Sequence, residues 1–243
     1  MSGPRIGDVF GELLRDALAV ATGIGPRPLV GGRLPRPVIE VIERDDGLIN
    51  GAPAAHYLDA PEDWQPYDHR AVDRVRGDVL DIGVGAGRIA LLLQERDVPV
   101  TGLDVSPGAL AVARKRGVRD LVRATVDEHA ADGRRRYDTF LLLGNNLGLV
   151  EGRERAPAFL AALAALARPG AEIIAHGTDP YGTTDPVHTG YRLPRAEPPA
   201  WPAGRAVAVA VALSRAGDPL VRLSGVHPGG AARTAARHGL VAG

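Results

Sequence analysis

Val79-Leu80-Asp81-Ile82-Gly83-Val84-Gly85-Ala86-Gly87-Arg88, followed by Val98-Pro99-Val100-Thr101-Gly102-Leu103-Asp104, is the stretch that decides the fold. An apolar run ending in closely spaced glycines, then a helical run, then a second apolar run ending in an acid, is the layout of a nucleotide-binding β-α-β unit. It points to an adenosine-containing ligand. Val79 to Ile82 reads as a short buried strand. Gly83 and Gly85 let the chain turn tightly and bring its backbone against a ligand with no Cβ in the way. Ile89 to Gln94 continues as an apolar helix whose free N-terminal N–H groups face whatever occupies the turn. Asp104 ends the second strand 17 residues beyond Gly87, where a carboxylate accepts both hydroxyl protons of a ribose.

The third glycine position discriminates between adenosine ligands. A dinucleotide site calls for Gly-x-Gly-x-x-Gly, in which the last glycine permits close helix packing and the helix end receives a pyrophosphate. Here Arg88 stands at that place and the spacing is Gly83-x-Gly85-x-Gly87. With Asp81 two residues ahead of the first glycine, this pattern resembles the first motif of class I S-adenosylmethionine-dependent methyltransferases, and Asp104 matches the acid of their second motif. The resemblance implies a cofactor site for S-adenosylmethionine, with S-adenosylhomocysteine as product. In it Asp81, Gly83, Val84, Gly85 and Arg88 form the turn against the methionine and ribose portions, and Asp104 with Val105 holds the ribose. A nicotinamide-dependent oxidoreductase uses the same β-α-β unit and is the alternative that Arg88 argues against; a non-catalytic S-adenosylmethionine-binding protein is a second.

Downstream, Thr139 to Leu143 reads as a fourth strand that empties into Gly144-Asn145-Asn146, at the carboxyl edge where ligands of open α/β sheets bind. Gly144 and Asn145 are expected to contact the cofactor, although Asn145 and Asn146 are also good turn formers. Leu121 to Val126 reads as the third strand. The resembled family often places an acid at its end for the adenine amino group; Thr125 stands there instead, with the Val126 backbone as a helper and Asp127 as the alternative carboxylate. Tyr57 and Tyr67, ahead of the glycine motif, are candidates to close over the methionine end. An alanine- and leucine-rich helix, Ala156 to Ala167, leads through Arg168-Pro169-Gly170 into a fifth strand, Ala171 to Ala175. That strand delivers His176 and Asp179 to the same edge, and either is placed to take a proton from a hydroxyl or amine acceptor.

The rest of the chain bounds this reading. With 243 residues, 45% of them hydrophobic, it can bury one substantial core. Its 29 basic and 29 acidic residues balance, so no bulk field draws it to nucleic acid or to an anionic membrane. Arg114-Lys115-Arg116, on a helix opened by Ser106 as N-cap, and Arg134-Arg135-Arg136 read as solvated surface. Cysteine is absent, which removes disulfides, thiolate metal sites and a cysteine nucleophile. No leader pattern or membrane-length apolar run is present, so a cytoplasmic protein is expected, with a small-molecule methyl acceptor, a natural-product intermediate in class, and no metal.

The expected architecture is a doubly wound, Rossmann-like α/β sheet under an N-terminal cap. Residues 1–76 supply the cap: an amphipathic helix from Ile6 to Ala21, a Gly-, Pro- and Arg-rich loop from Gly23 to Pro37, a hairpin about Asp45-Asp46-Gly47, and a helix from Trp64 to Val75. Residues 77–243 form the S-adenosylmethionine-binding domain. Ala206 to Leu213 and Leu220 to Val226 read as a hairpin at about 205–227, inserted beside the acceptor pocket, with a further helical segment at Gly230 to His238. An insertion of that kind leaves the sheet with a bare edge, from which a homodimer is expected.

Overall fold

A computed structural model describes residues 7–23, 37–43, 47–152, 154–177, 184–188, 207–212 and 222–225. Strand β3 (Val79–Ile82) is buried at all four positions, as a central parallel strand covered on both faces must be. Around it stand β4 (Val100–Asp104), β5 (Leu121–Arg123), β6 (Tyr137–Leu142) and β7 (Ala167–Gly177). These five strands are parallel, in the order β5-β4-β3-β6-β7. The order reverses at β3, so the carboxyl ends of β3 and β6 diverge and leave a crevice between them.

Strand periodicity divides the core. Val79, Leu141 and Ile174 face one layer, where they meet Ile89 and Leu93 of α3 (Arg88–Glu95) and Leu110 of α4 (Pro107–Arg116). Leu80, Phe140 and Ile173 face the other, against Leu163 and Leu166 of α6 (Ala156–Leu166) and Val126 of α5 (Val126–Asp132). Each fully buried Leu or Phe contributes about 1.5–3 kcal/mol.

The first helix, α1 (Val9–Thr22), packs on α4 at Gly11 and Gly108. A Cβ on Gly108 would stand 2.6 Å from the Gly11 Cα, so the crossing requires Gly108 bare, and a Cβ on Gly11 would stand 2.4 Å from the Asp8 carboxylate. Asp8 locks it: its carboxylate accepts from the Ser106 hydroxyl at 2.6 Å, from the Gly108 amide at 2.8 Å and from the Gly11 amide at 3.2 Å. Burial raises the Asp8 pKa, but these three donors outweigh it and hold the carboxyl below its ordinary value. The hairpin is present as β1 (Ile39–Glu43) against β2 (Ile49–Pro53), a two-stranded sheet separate from the main one, and α2 (Pro66–Val72) follows.

Three expectations change. The third strand ends at Arg123, because Thr125 caps α5 in a capping box with Glu128. Arg116 leaves the solvated surface and turns inward, its guanidinium donating to the Ala86 carbonyl at 2.9 Å and the Leu58 carbonyl at 3.0 Å. The segment at 205–227 does pair as a hairpin, but β8 (Val207–Ala212) and β9 (Arg222–Gly225) add antiparallel to β7 and extend the sheet to seven strands, so they are not an insertion beside the pocket. With β7 paired by β8, the expected bare edge moves outward to β9. Most of Gly23 to Pro37, Asp45, Asp46 and Gly230 to His238 lie outside the described residues. No helix among the described residues is long and apolar enough to cross a membrane.

Gly108→Ala is expected to lower stability by about 1–3 kcal/mol through the α1–α4 clash, measured by denaturant unfolding; an unchanged midpoint would show that the helices separate without cost.

Candidate functional site

The crevice at the carboxyl ends of β3 and β6 opens into a cavity of about 580 Å³, within the range of small-molecule sites. Its floor is the glycine turn. Gly83 and Gly87 hold φ of +73° and +82°, and a Cβ would lie 2.4 Å from Asn146 Nδ2 at the first and 2.5 Å from Val118 Cγ2 at the second. Both positions therefore exclude a side chain by conformation and by space. Asn146 Nδ2 donates to the Ile82 and Gly83 carbonyls, each at 2.9 Å, and ties the turn after β6 to the turn after β3.

Asp104 stands at the rim. Its Oδ2 accepts from the Gly85 amide and its Oδ1 from the Ser106 amide, both at 2.9 Å. Burial raises its pKa, with the amides of Ser106, Gly85 and Val105 pulling the other way and the Asp8 charge adding to the rise. The carboxylate keeps acceptor capacity beyond these amides, as recognition of a vicinal diol requires. Asp81, deeper in the same cavity, is 4% exposed, and its carboxylate makes no hydrogen bond among the described residues. Burial drives its pKa to about 7, against the opposing pull of Arg88 and with a further push from Asp104. A buried, unpartnered carboxyl lining a cavity is a group fitted to receive a donor from a ligand.

Arg88 is held from behind. Its two terminal nitrogens each reach Asp68 Oδ2 at 3.1 Å, and its guanidinium lies 5.1 Å from the centre of the Trp64 ring. Asp68 is buried; burial raises its pKa, but the His176 hydrogen bond and the Arg88 charge prevail and lower it. Tyr57 lines the cavity with its ring set edge-on to Phe10, 5.2 Å between centres, and its hydroxyl donates to the Glu40 carboxylate at 3.0 Å. Burial, then the Glu40 charge, pushes the phenol pKa up. On the far wall are Val105, Thr125, Val126 and Asp127, with Phe159 of α6. The Thr125 hydroxyl is already engaged, accepting from the Glu128 amide at 3.2 Å. Val84, Gly85 and Gly144 complete the lining near the turn.

The structure thus gathers Tyr57, Asp81, Gly83, Val84, Gly85, Arg88, Asp104, Val105, Thr125, Val126 and Gly144 around one cavity. Asn145 is not in its wall: at φ +68° it turns the chain into a 3-10 segment, and the neighbouring Asn146 reaches the site instead. His176 is also outside the wall. It is buried, with Nε2 3.0 Å from Asp68 Oδ1 and 3.1 Å from the Gly144 amide, and its ring lies 4.7 Å from that of Tyr67. Asp179 lies outside the described residues. Sequence reading missed Asp68, Phe10 and Phe159, which join the site only through tertiary packing.

Residues 79–170 match a family model described as a methyltransferase domain. The chain is 33% identical over 100 residues to the ubiquinone biosynthesis O-methyltransferase of Klebsiella pneumoniae, an alignment that takes in 39% of this chain. The chain spans only 40% of the length of that curated relative. Among solved structures, a S-adenosylmethionine-dependent methyltransferase from Bacteroides fragilis, determined with S-adenosyl-L-homocysteine, superposes with a TM-score of 0.57 at 23% identity, over 74% of this chain and 68% of the other. That likeness is one of fold.

Because Asp81 binds a proton in the folded state up to a pH of about 7, and in the unfolded chain only to about 4, its burial destabilises increasingly as pH rises through that window. Asp81→Asn should therefore stabilise the protein at pH 8, by at most about 4 kcal/mol, and much less at pH 5. Chemical denaturation at the two pH values reads the difference; an equal effect at both would mean that Asp81 stays ionised throughout.

Proposed function

We propose, from the premise that residues 79–170 belong to the class I S-adenosylmethionine-dependent methyltransferase family, that this protein transfers a methyl group from S-adenosylmethionine to a small-molecule acceptor. The observation that carries the reading is Asp104, held by the Gly85 and Ser106 amides at the rim of the glycine turn and lining the cavity with acceptor capacity left for a ribose diol. Asp81 supports it from within the cavity, as the unpartnered acid for a donor at the methionine end.

S-adenosylmethionine supplies an electrophilic methyl on a sulfonium centre. What the chain contributes is alignment, since in-line displacement depends on holding acceptor and methyl carbon in reach of each other and on excluding water. Gly83, Val84 and Gly85 bring backbone against the cofactor, Asp104 fixes the ribose, and Val105, Val126 and Phe159 offer apolar surface to the adenine. Thr125 and Asp127 are polar groups that line the same cavity and would be available to that ring. Tyr57 and Phe10 close the opposite side. The name of the Klebsiella relative, an O-methyltransferase of ubiquinone biosynthesis, favours a hydroxyl acceptor on a small molecule. A natural-product intermediate fits the same class.

The oxidoreductase reading is weaker on one observation: Arg88, in the third glycine's place, is packed between Asp68 and Trp64, where a dinucleotide site needs close helix approach.

Calorimetric titration with S-adenosylmethionine, S-adenosylhomocysteine and NADH should show binding of the first two and none of the third; binding of NADH alone overturns the proposal. Asp104→Ala should weaken S-adenosylhomocysteine binding by about 1.5–3 kcal/mol, the range for hydrogen bonds to a charged group, and an unchanged affinity removes Asp104 from the site.

A further inference from the structure

Arg88 and His176 stand next to the cavity, and one buried carboxylate joins them. Asp68 sits on α2, outside the glycine motif and outside the cavity wall, and its side chain is 4% exposed. Oδ2 takes both Arg88 nitrogens at 3.1 Å, and Oδ1 lies 3.0 Å from His176 Nε2, a partner 108 residues away in sequence. The same Nε2 lies 3.1 Å from the amide of Gly144, which does line the cavity. A continuous chain, Arg88–Asp68–His176–Gly144, therefore runs behind the site from the first residue of α3 to the turn after β6. Asn146 closes the loop two residues on, through its bonds to the Ile82 and Gly83 carbonyls.

The junction at Nε2 is chemically specific. The Gly144 amide is a donor and asks for a lone pair; the Asp68 carboxylate is an acceptor and asks for an N–H. One imidazole nitrogen carries a lone pair or a proton, never both. Two contacts at 3.0 and 3.1 Å thus share one ring nitrogen and are only half satisfied at any instant. A primary amide in that place would meet both, with its NH2 toward Asp68 and its oxygen toward Gly144.

We propose that Asp68 and His176 are positioning residues that hold the Gly144 turn against the Arg88 end of the glycine motif, and so set the shape in which the cavity binds its cofactor. This rests on the reading of the cavity as an S-adenosylmethionine site. The two residues act through Arg88 and Gly144, without touching the cofactor, and their effect on affinity is shared because they are links of one chain.

The test is calorimetric titration of the whole protein with S-adenosylhomocysteine, with fold checked by circular dichroism. The wild type must bind; if it does not, the cofactor reading has failed and not the positioning role. Asp68→Asn and His176→Leu should each weaken binding at least tenfold, and the double variant should be no weaker than the worse single one, as for groups acting in one network. His176→Gln should bind within about threefold of the wild type or more tightly, by the amide's separate donor and acceptor. Losses that simply add in the double variant, or a glutamine variant as weak as the leucine one, overturn the proposal. Should His176→Leu fail to fold, a folded Asp68→Asn with undiminished affinity overturns it alone, and a tenfold loss there with His176→Gln binding within about threefold of the wild type upholds it.

Discussion

The hydrogen bond from the Gly85 amide to Asp104 Oδ2 joins the turn after β3 to the last residue of β4, and the site is arranged about it. It exists because two parallel strands end side by side, paired through Ile82 and Leu103. Past that pair their chains part, one into the glycine turn and the other into α4. A carboxylate at that fork is drawn to the amides that the turn leaves without strand partners. Burial there would ordinarily favour the neutral acid, and the backbone donors are what oppose it. The same donors orient the carboxylate, so the outward lone pairs face the cavity.

Asp104 is one of four acids placed near this edge, and each is accommodated differently. Asp8 is surrounded by three donors and stays ionised. Asp68 is ionised by an arginine and a histidine. Asp104 is partly compensated by backbone amides, and Asp81, with neither donor nor close hydrogen-bonded cation, is pushed to a pKa of about 7. The gradient runs from fully satisfied acids in the scaffold to an unsatisfied one inside the cavity. Functional groups are commonly the ones whose charge the protein leaves incompletely solvated, because a ligand then supplies what is missing.

The parts legible in the sequence were those in which a local pattern has a single physical cause. The glycine turn and Asp104 could be read because left-handed backbone, buried strands and a strand-terminal acid each restrict residue type. Thr125 was misplaced in a strand although Thr125-Val126-Asp127-Glu128 spells a capping box; apolar continuity from Leu121 masked a helix start. Asn145 was preferred over Asn146 since turn chemistry does not say which of two asparagines faces the floor. Alternation marked β8 and β9 as strands, but an inserted hairpin and an edge addition have the same alternation, and only pairing with β7 separates them. Asp68 had no signal at all: nothing in Gln65-Pro66-Tyr67-Asp68 indicates partners at 88 and 176.

Arg88 shows how a motif residue acquires meaning from outside the motif. As a departure from a third glycine it removes a dinucleotide's close helix approach, which is a negative statement. Its structural consequence is positive. The guanidinium reaches away from the turn to Asp68 and Trp64, both in the segment that precedes β3, so the start of α3 and that segment are held as one charged and aromatic unit. An arginine whose charge is met by a buried acid makes a shorter-ranged field at the cavity than a free one would. Burial is what raises the pKa of Asp81, and the Arg88 charge only opposes that rise; the consequence of where Arg88 points is the ion pair with Asp68, made behind the cavity.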